Sequence, residues 1–187
     1  RGGARRPPLG GSPAAGGGGE VAWAATNLPG GVEIVGVLCG SDGGAADAER
    51  LQDGLVPSRS NGRNAARRDK YLMAEAMRDA GLLAPNQAAP TSWEETRAFL
   101  AQQSYPVLLK PRRGQASVLV GVAHDEDSAK RMDAALRDPT CHASIDTSEL
   151  PPGDRNVLVQ EFLHGAEWVV DTVSRNGEHK VLCRGSH

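Results

Sequence analysis

Two lysines in this 187-residue sequence lie where an ammonium group would be costly without an anionic partner. Lys110 ends the apolar run "YPVLLKP" and is followed at once by the basic, glycine-containing loop Arg112–Ala116. Lysine beside the N–H groups of such a loop is a common arrangement for holding phosphates. A lysine that extends its charged end from a strand into solvent is the alternative.

Lys70 is the second candidate, because it follows two arginines and an aspartate in "RRDK" at the start of a predicted helix. Positive charges near a helix N-terminus oppose the helix dipole and cost some stability. A bound anion would offset that cost, whereas an ordinary solvated basic turn would need no anion.

The stretch "LVQEFLHGAEWVVDTV" places Gln160 and Glu161 at the end of an apolar run, followed by Phe162 and Leu163. A flat heterocycle packed on Phe162 and Leu163 would meet an amide and a carboxylate at one edge. Glu167, beyond the glycine, would accept hydrogen bonds from ribose hydroxyls. The alternative is a solvent-facing sheet edge that binds nothing.

The elements that must position these residues alternate between strands and helices. Apolar runs predict strands at 32–39, 105–111, 117–123, 157–162, 167–174 and 179–183, with a hairpin at Asn-Gly 176–177. Helical spacing predicts helices at 45–55, 63–81, 92–103 and from 125 onward. The 32–39 strand is expected to be buried. In the second helix, apolar residues at three- and four-residue spacing are expected to face inward: Leu72, Met73, Ala76, Met77 and Ala80.

Composition excludes several classes of function. The net charge of -2 gives no electrostatic case for nucleic acid or an anionic membrane surface. No apolar run approaches the roughly 20 residues of a membrane span. Three separated cysteines without a Cys-x-x-Cys pair predict reduced thiols, a cytoplasmic location and no metal site. The Gly/Pro/Arg-rich segment 1–31 is predicted to be disordered.

Taken in order, these features resemble the ATP-grasp superfamily and, within it, the amino-acid and peptide ligase branch. The resemblance covers about 32–181 and is carried by "NGRNAARRDKYLMAEAMRDAGL", "PVLLKP" and "VLVQEFLHGAEWVVDTVSRNGEHKV". It implies an α/β (α+β) ATP-grasp fold that is incomplete. The implied domains are the disordered segment 1–31, the end of a pre-ATP-grasp βα region at 32–66, and the truncated ATP-grasp domain at 67–187. A central lid at about 83–159 would precede the start of the C-terminal grasp subdomain.

The resemblance also implies chemistry. Such ligases use ATP to activate a carboxylate as an acyl phosphate, which an amine attacks to give an amide, ADP and phosphate. Lys70 and Lys110 would contact ATP phosphates, and Ser117 would lie in the loop that covers them. Residues 160–163 would read adenine, and Glu167 would hold the ribose. The implied partners are ATP and small carboxylate and amine substrates, with neither nucleic acid nor membrane. Catalytic residues and the oligomeric state are not indicated.

Two departures from the family pattern qualify this expectation. The phosphate loop of such ligases reads Ser-Ala-Gly-Ser-Asp-Gly-Val, whereas "GQASVLV" stands here, with Leu119 at the second glycine. Leucine resists the positive φ that glycine permits. The family's Mg²⁺ ligands, an acidic pair and an asparagine, are expected beyond residue 187, so the chain is expected to be inactive alone.

A non-catalytic nucleotide-binding or regulatory module with a degenerate grasp fold is the alternative. A further alternative is a doubly wound binding domain with no ATP role, built around residues 32–55 and supported by "CGSDGG".

Overall fold

The computed structural model describes residues 19–27, 32–114, 117–142, 156–175 and 178–186. Its helices are α1 (Gly19–Asn27), α2 (Ala45–Leu55), α3 (Lys70–Asp79), α4 (Trp93–Leu100) and α5 (Glu126–Arg137). Its strands are β1 (Gln87–Ala88), β2 (Val107–Pro111), β3 (Gly121–Ala123), β4 (Val157–Glu161), β5 (Trp168–Arg175) and β6 (Glu178–Ser186). Short 3-10 helices lie at Asp42–Gly44, Pro57–Arg59, Ala65–Arg67 and Pro139–His142. This mixture confirms the predicted α/β class.

A four-stranded antiparallel sheet in the order β1-β4-β2-β3 lies at the centre of the chain. Its two inner strands, β2 and β4, form from the leucine- and valine-rich runs that predicted them. Leu108 lies opposite Gln160, and Lys110 lies opposite Leu158. Because directly paired residues of an antiparallel sheet point to the same side, these four residues share one face.

The other face of this sheet carries the hydrophobic core. Its buried residues come from β2, β3, β4, α4 and α5: Val107, Leu109, Ala123, Val157, Val159, Leu100, Ala129 and Leu136. Met132 packs partly against them, so Ala129, Met132 and Leu136 form the face of α5 that meets the core. Each fully buried valine or leucine contributes roughly 1.5–3 kcal/mol, which makes this layer a firm support for the opposite face.

Both helices of the core layer begin at their predicted positions, each after an N-cap residue whose side chain accepts a backbone hydrogen bond. The Ser92 hydroxyl accepts a hydrogen bond from the Glu95 N–H (3.3 Å), and Asp125 accepts one from the Ser128 N–H (2.7 Å). Asp125 and Ser128 complete a capping box. Helix α4 ends at Leu100, three residues before its predicted end.

The prediction for the packing face of α3 is wrong. Leu72, Met73 and Met77 are exposed, and Ala74 is the residue of this helix that is buried. The sheet face that α3 meets is partly polar, and the Gln87 amide donates to the Tyr71 carbonyl (2.9 Å). Glu75 of α3 also bonds the Gln87 amide, so polar groups form the side of the helix that meets the sheet. Its apolar stripe faces away.

The N-terminal region differs from the sequence prediction at two places. No strand forms at 32–39, and Leu38 is 96% exposed, because the described residues place no neighbouring strand beside this segment. Within 1–31, where disorder was predicted, Gly19–Asn27 is helix α1. A Cβ on Gly54 of α2 would lie 2.8 Å from Val21, so the glycine admits this close approach. Residues 1–18 and 28–31 lie outside the described residues.

β5 and β6 form the predicted hairpin as a separate two-stranded sheet. Its turn at residues 176–177 lies outside the described residues. Trp168, Val170 and Leu182 of this hairpin are exposed. None of the helices in the described ranges has the length and apolar character that crossing a membrane requires.

Candidate functional site

Lys70 and Lys110 line the same cavity, which has a volume of about 220 Å³. Lys70 is the first residue of α3, and Lys110 lies in β2 on the sheet face opposite the core. The other lining residues are Leu108, Pro111, Gly114, Ser117, Val118 and Val120. No carboxylate is among these described lining residues, so the cavity combines two ammonium groups with apolar walls.

Both lysines are half-buried, and desolvation lowers the pKa of each below its usual 10.5. The charge of Lys70 lowers the pKa of Lys110 further. Arg68 also lowers the pKa of Lys70, and Asp69 opposes this effect. The Lys70 ammonium donates to the Gly114 carbonyl oxygen (3.0 Å). An anion in this cavity would reverse the desolvation cost of both charges.

The loop between β2 and β3 uses positive φ angles. Gly114 has φ 143°, Ser117 φ 56° and Leu119 φ 57°. The Val120 N–H donates to the Ser117 carbonyl (3.2 Å), so residues 117–119 form a turn where a strand was predicted. Leu119 adopts the backbone conformation that the sequence pattern reserves for glycine, at a cost of about 1–2 kcal/mol. Its side chain packs partly against the core.

Gln160 and Glu161 have protein partners. The buried Gln160 amide donates to Gln87 Oε1 (2.7 Å), and Gln87 in turn donates to Glu75 Oε1 (2.7 Å). Glu161 accepts from the backbone N–H of Asn86 (2.9 Å) and from its side-chain amide (3.3 Å). Protein groups, rather than the nucleotide expected from the sequence, therefore partner the two side chains.

The remaining predicted residues lie in the connection between β4 and β5. Phe162 is half-buried and packs edge-to-face on His164, with ring centroids 5.0 Å apart. Leu163 is 66% exposed, and Glu167 is also exposed. The structure therefore brings Lys70, Lys110 and Ser117 to one cavity, whereas Phe162, Leu163 and Glu167 do not line it.

Sequence reasoning missed a buried ion pair beside the cavity. Arg112, predicted to lie in a flexible polar loop, contacts Asp69 through Nη2–Oδ2 (2.6 Å) and Nε–Oδ1 (3.2 Å). Its guanidinium also lies over the Tyr71 ring, 5.3 Å from the centroid. Arg113 is equally buried. The available signal was the aspartate directly before Lys70, which is the N-cap of α3 in the structure but lies inside the helix predicted at 63–81.

The residues present do not fit a magnesium site. Among the described residues, no group of three or more His, Cys, Asp or Glu side chains is placed to hold a metal ion. The two lysines of the cavity would also repel a free cation. We therefore assign no magnesium ligand among the residues that the structure describes, and the expectation that such ligands lie beyond residue 187 stays a prediction.

A family model, a curated protein and a solved structure are similar to this chain. A family model described as an ATP-grasp domain matches residues 67–186. The chain is 35% identical over 149 residues to dapdiamide A synthase of Enterobacter agglomerans, covering 78% of this chain and 34% of that protein. Its fold is similar to that of D-alanine–D-alanine ligase from Helicobacter pylori, with a TM-score of 0.51 and 16% identity, covering 75% of this chain and 40% of that one. The chain thus spans about a third of the length of the curated relative.

Proposed function

Because this chain belongs to the ATP-grasp domain family, we propose that it provides the ATP-binding part of a ligase that joins a carboxylate to an amine. The observation that carries this proposal is the convergence of Lys70 and Lys110 on one cavity whose described lining residues include no carboxylate. Two partly desolvated ammonium groups favour an anion of high charge, such as the phosphates of a nucleotide.

In this proposal, Lys70 and Lys110 hold the phosphates of ATP. The Lys70 ammonium exchanges its hydrogen bond to the Gly114 carbonyl for one to a phosphate oxygen. Ser117 and the turn at Leu119 cover the phosphates from the side of the loop. The positive φ angles of this turn support the assignment, because they are the angles that the family's glycine-rich loop permits.

The adenine is assigned to residues 160–163. The Gln160 and Glu161 side chains are bonded to Gln87 and Asn86, and their backbone belongs to β4. The Glu161 N–H also donates to the Asn86 carbonyl (2.9 Å), so the backbone of residues 162–163 is the part that reads the base edge. Phe162 and Leu163 supply apolar contact for the ring, and Glu167 accepts hydrogen bonds from the ribose hydroxyls.

The proposed reaction has two steps. A carboxylate oxygen of the substrate attacks the γ-phosphorus of ATP, and the bond to the β–γ bridging oxygen breaks, giving an acyl phosphate and ADP. The amine then attacks the acyl carbon, phosphate leaves, and the amine loses a proton as the amide forms. The contribution of this chain is to position the phosphates and to neutralise their charge. The relationship to a dapdiamide A synthase supports an amide product.

We assign this reaction to the cytoplasm. Cys39, Cys141 and Cys183 form no disulfide, although all three are exposed. Exposed cysteines that stay unpaired are typical of reducing compartments.

A calorimetric titration with ADP tests the proposal. Lys110→Ala should raise the Kd for ADP about ten- to hundredfold, because one charge-assisted hydrogen bond contributes roughly 1.5–3 kcal/mol. Lys130→Ala is the matched control, since this exposed lysine lies on α5 over the Trp93 ring and away from the cavity. The control should bind ADP like the unmodified chain. Equal affinity of the Lys110→Ala variant and the control would refute the proposal.

A further inference from the structure

The Asp69–Arg112 pair joins the two segments that carry the cavity lysines. Its side chains are 3% and 7% exposed, and two contacts of 2.6 Å and 3.2 Å link the carboxylate to the guanidinium. Asp69 directly precedes Lys70, whereas Arg112 follows Lys110 by two residues. The pair therefore connects the start of α3 to the end of β2 over 43 residues of sequence.

Further hydrogen bonds make this connection rigid. The Lys70 N–H donates to the Arg112 carbonyl (2.9 Å), and Asp69 caps α3 by accepting from the N–H groups of Tyr71 and Leu72. The Arg112 N–H donates to the Asn156 carbonyl (2.9 Å). Both the backbone and the side chain of Asp69 and of Arg112 are therefore fixed by hydrogen bonds. Asn156, the residue before β4, connects that strand to Arg112 as well.

A buried ion pair is a weak argument for stability, because desolvation of its two charges offsets most of their attraction. Such pairs are better explained where a defined geometry is required. The two lysines next to this pair require such a defined geometry. The ammonium groups of Lys70 and Lys110 repel each other in a partly desolvated cavity, and repulsion would separate them unless their segments were fixed.

We propose that Asp69 and Arg112 are positioning residues, which hold the Lys70 and Lys110 ammonium groups at the separation that the phosphates of a nucleotide require. This inference rests on the proposed function, since it assigns the cavity to nucleotide phosphates. Neither residue lines the cavity, so both act through the lysines rather than by touching the ligand.

The test compares ADP with adenosine, because only ADP reports on the phosphate contacts. Ligand-observed NMR titrations of the full 187-residue chain give the ratio of the adenosine Kd to the ADP Kd. Asp69→Asn keeps an oxygen for capping α3 but loses the charge, and Arg112→Lys keeps the charge but loses the two-point contact. Each variant should lower this ratio about tenfold while the adenosine Kd stays unchanged.

Asp133→Asn is the matched control. The buried Asp133 pairs with the partly buried Arg137, with 2.6 Å between Nε and Oδ2, but both lie on α5 in the core layer on the opposite face of the sheet. This control should lower the melting temperature and leave the Kd ratio unchanged. It therefore separates a loss of stability from a loss of phosphate positioning.

The outcomes are distinct. A folded unmodified chain that binds ADP no better than adenosine would overturn the proposed function and this inference with it. An unmodified chain that prefers ADP, with Asp69→Asn and Arg112→Lys behaving like the Asp133→Asn control, would overturn this inference alone. Variants that weaken ADP and adenosine equally would also overturn the positioning role and leave the proposed function intact. If Asp69→Asn does not fold, Arg112→Lys decides the question by the same ratio.

Discussion

Replacing Asp69 with asparagine should lower the free energy of unfolding by about 3–5 kcal/mol, because the Arg112 guanidinium then stays buried without its carboxylate. The two side chains are only 3% and 7% exposed, so water cannot replace the lost partner. The asparagine oxygen can still accept from the Tyr71 and Leu72 N–H groups. The cap of α3 is therefore kept, and capping adds little to the expected change in the free energy of unfolding.

Adding Arg112→Met to Asp69→Asn should recover most of this loss. Neither charge remains buried in the double variant. Methionine fills similar space over the Tyr71 ring, where a thioether contact replaces the guanidinium. We expect the double variant to unfold within about 1 kcal/mol of the unmodified chain. It should nevertheless keep the lowered preference for ADP over adenosine, since the side-chain link between the two lysine-bearing segments is absent in it.

The assay is urea unfolding followed by far-UV circular dichroism, with the single and double variants arranged as a double-mutant cycle. A double variant as unstable as Asp69→Asn alone would refute the reasoning, because it would show that the pair itself stabilises the fold. A double variant with full stability and full ADP preference would refute the positioning role instead.

Two further predictions concern the loop and the cavity. In urea unfolding, Leu119→Gly should be more stable than Leu119→Ala by about 0.5–1 kcal/mol. Glycine relieves the strain of the left-handed backbone at φ 57°, whereas both variants lose the same packing of the leucine side chain. A Leu119→Ala variant that is the more stable of the two would show that the backbone at residue 119 is not strained. The pKa values of Lys70 and Lys110 are lowered in the free protein, so the unfolded chain binds more protons at alkaline pH. As pH rises through the lowered pKa values toward 10.5, the contribution of these two lysines to the unfolding free energy should therefore rise while affinity for ADP falls. If unfolding free energy and ADP affinity changed in the same direction with pH, the assignment of the two lysines to the phosphates would be contradicted.

Local features of this protein follow from the sequence because they depend on neighbouring residues. Ser92 and Asp125 begin their helices through hydrogen bonds to N–H groups three residues away. The valine- and leucine-rich runs form β2 and β4, and the runs around Asn-Gly form the hairpin. Lys70 and Lys110 could be singled out in the same way, since each is placed unfavourably by its own surroundings.

Features that depend on distant residues were decided by the tertiary structure. The 32–39 segment has strand-like residues but no neighbouring strand among the described residues, so its composition predicted burial wrongly. Glu161 obtains its partner from Asn86, 75 residues away, and the sequence offers no local sign of that pairing.

In the candidate site, too, some features follow from neighbouring residues and others from distant ones. The residue types that bind an anion are evident in the sequence, but their convergence depends on the pairing of Asp69 with Arg112 across 43 residues. A charge in a loop predicts exposure when only its neighbours are considered. Arg112 is buried because a carboxylate on another segment repays the cost of removing it from water, and that partner becomes evident only when the chain is folded.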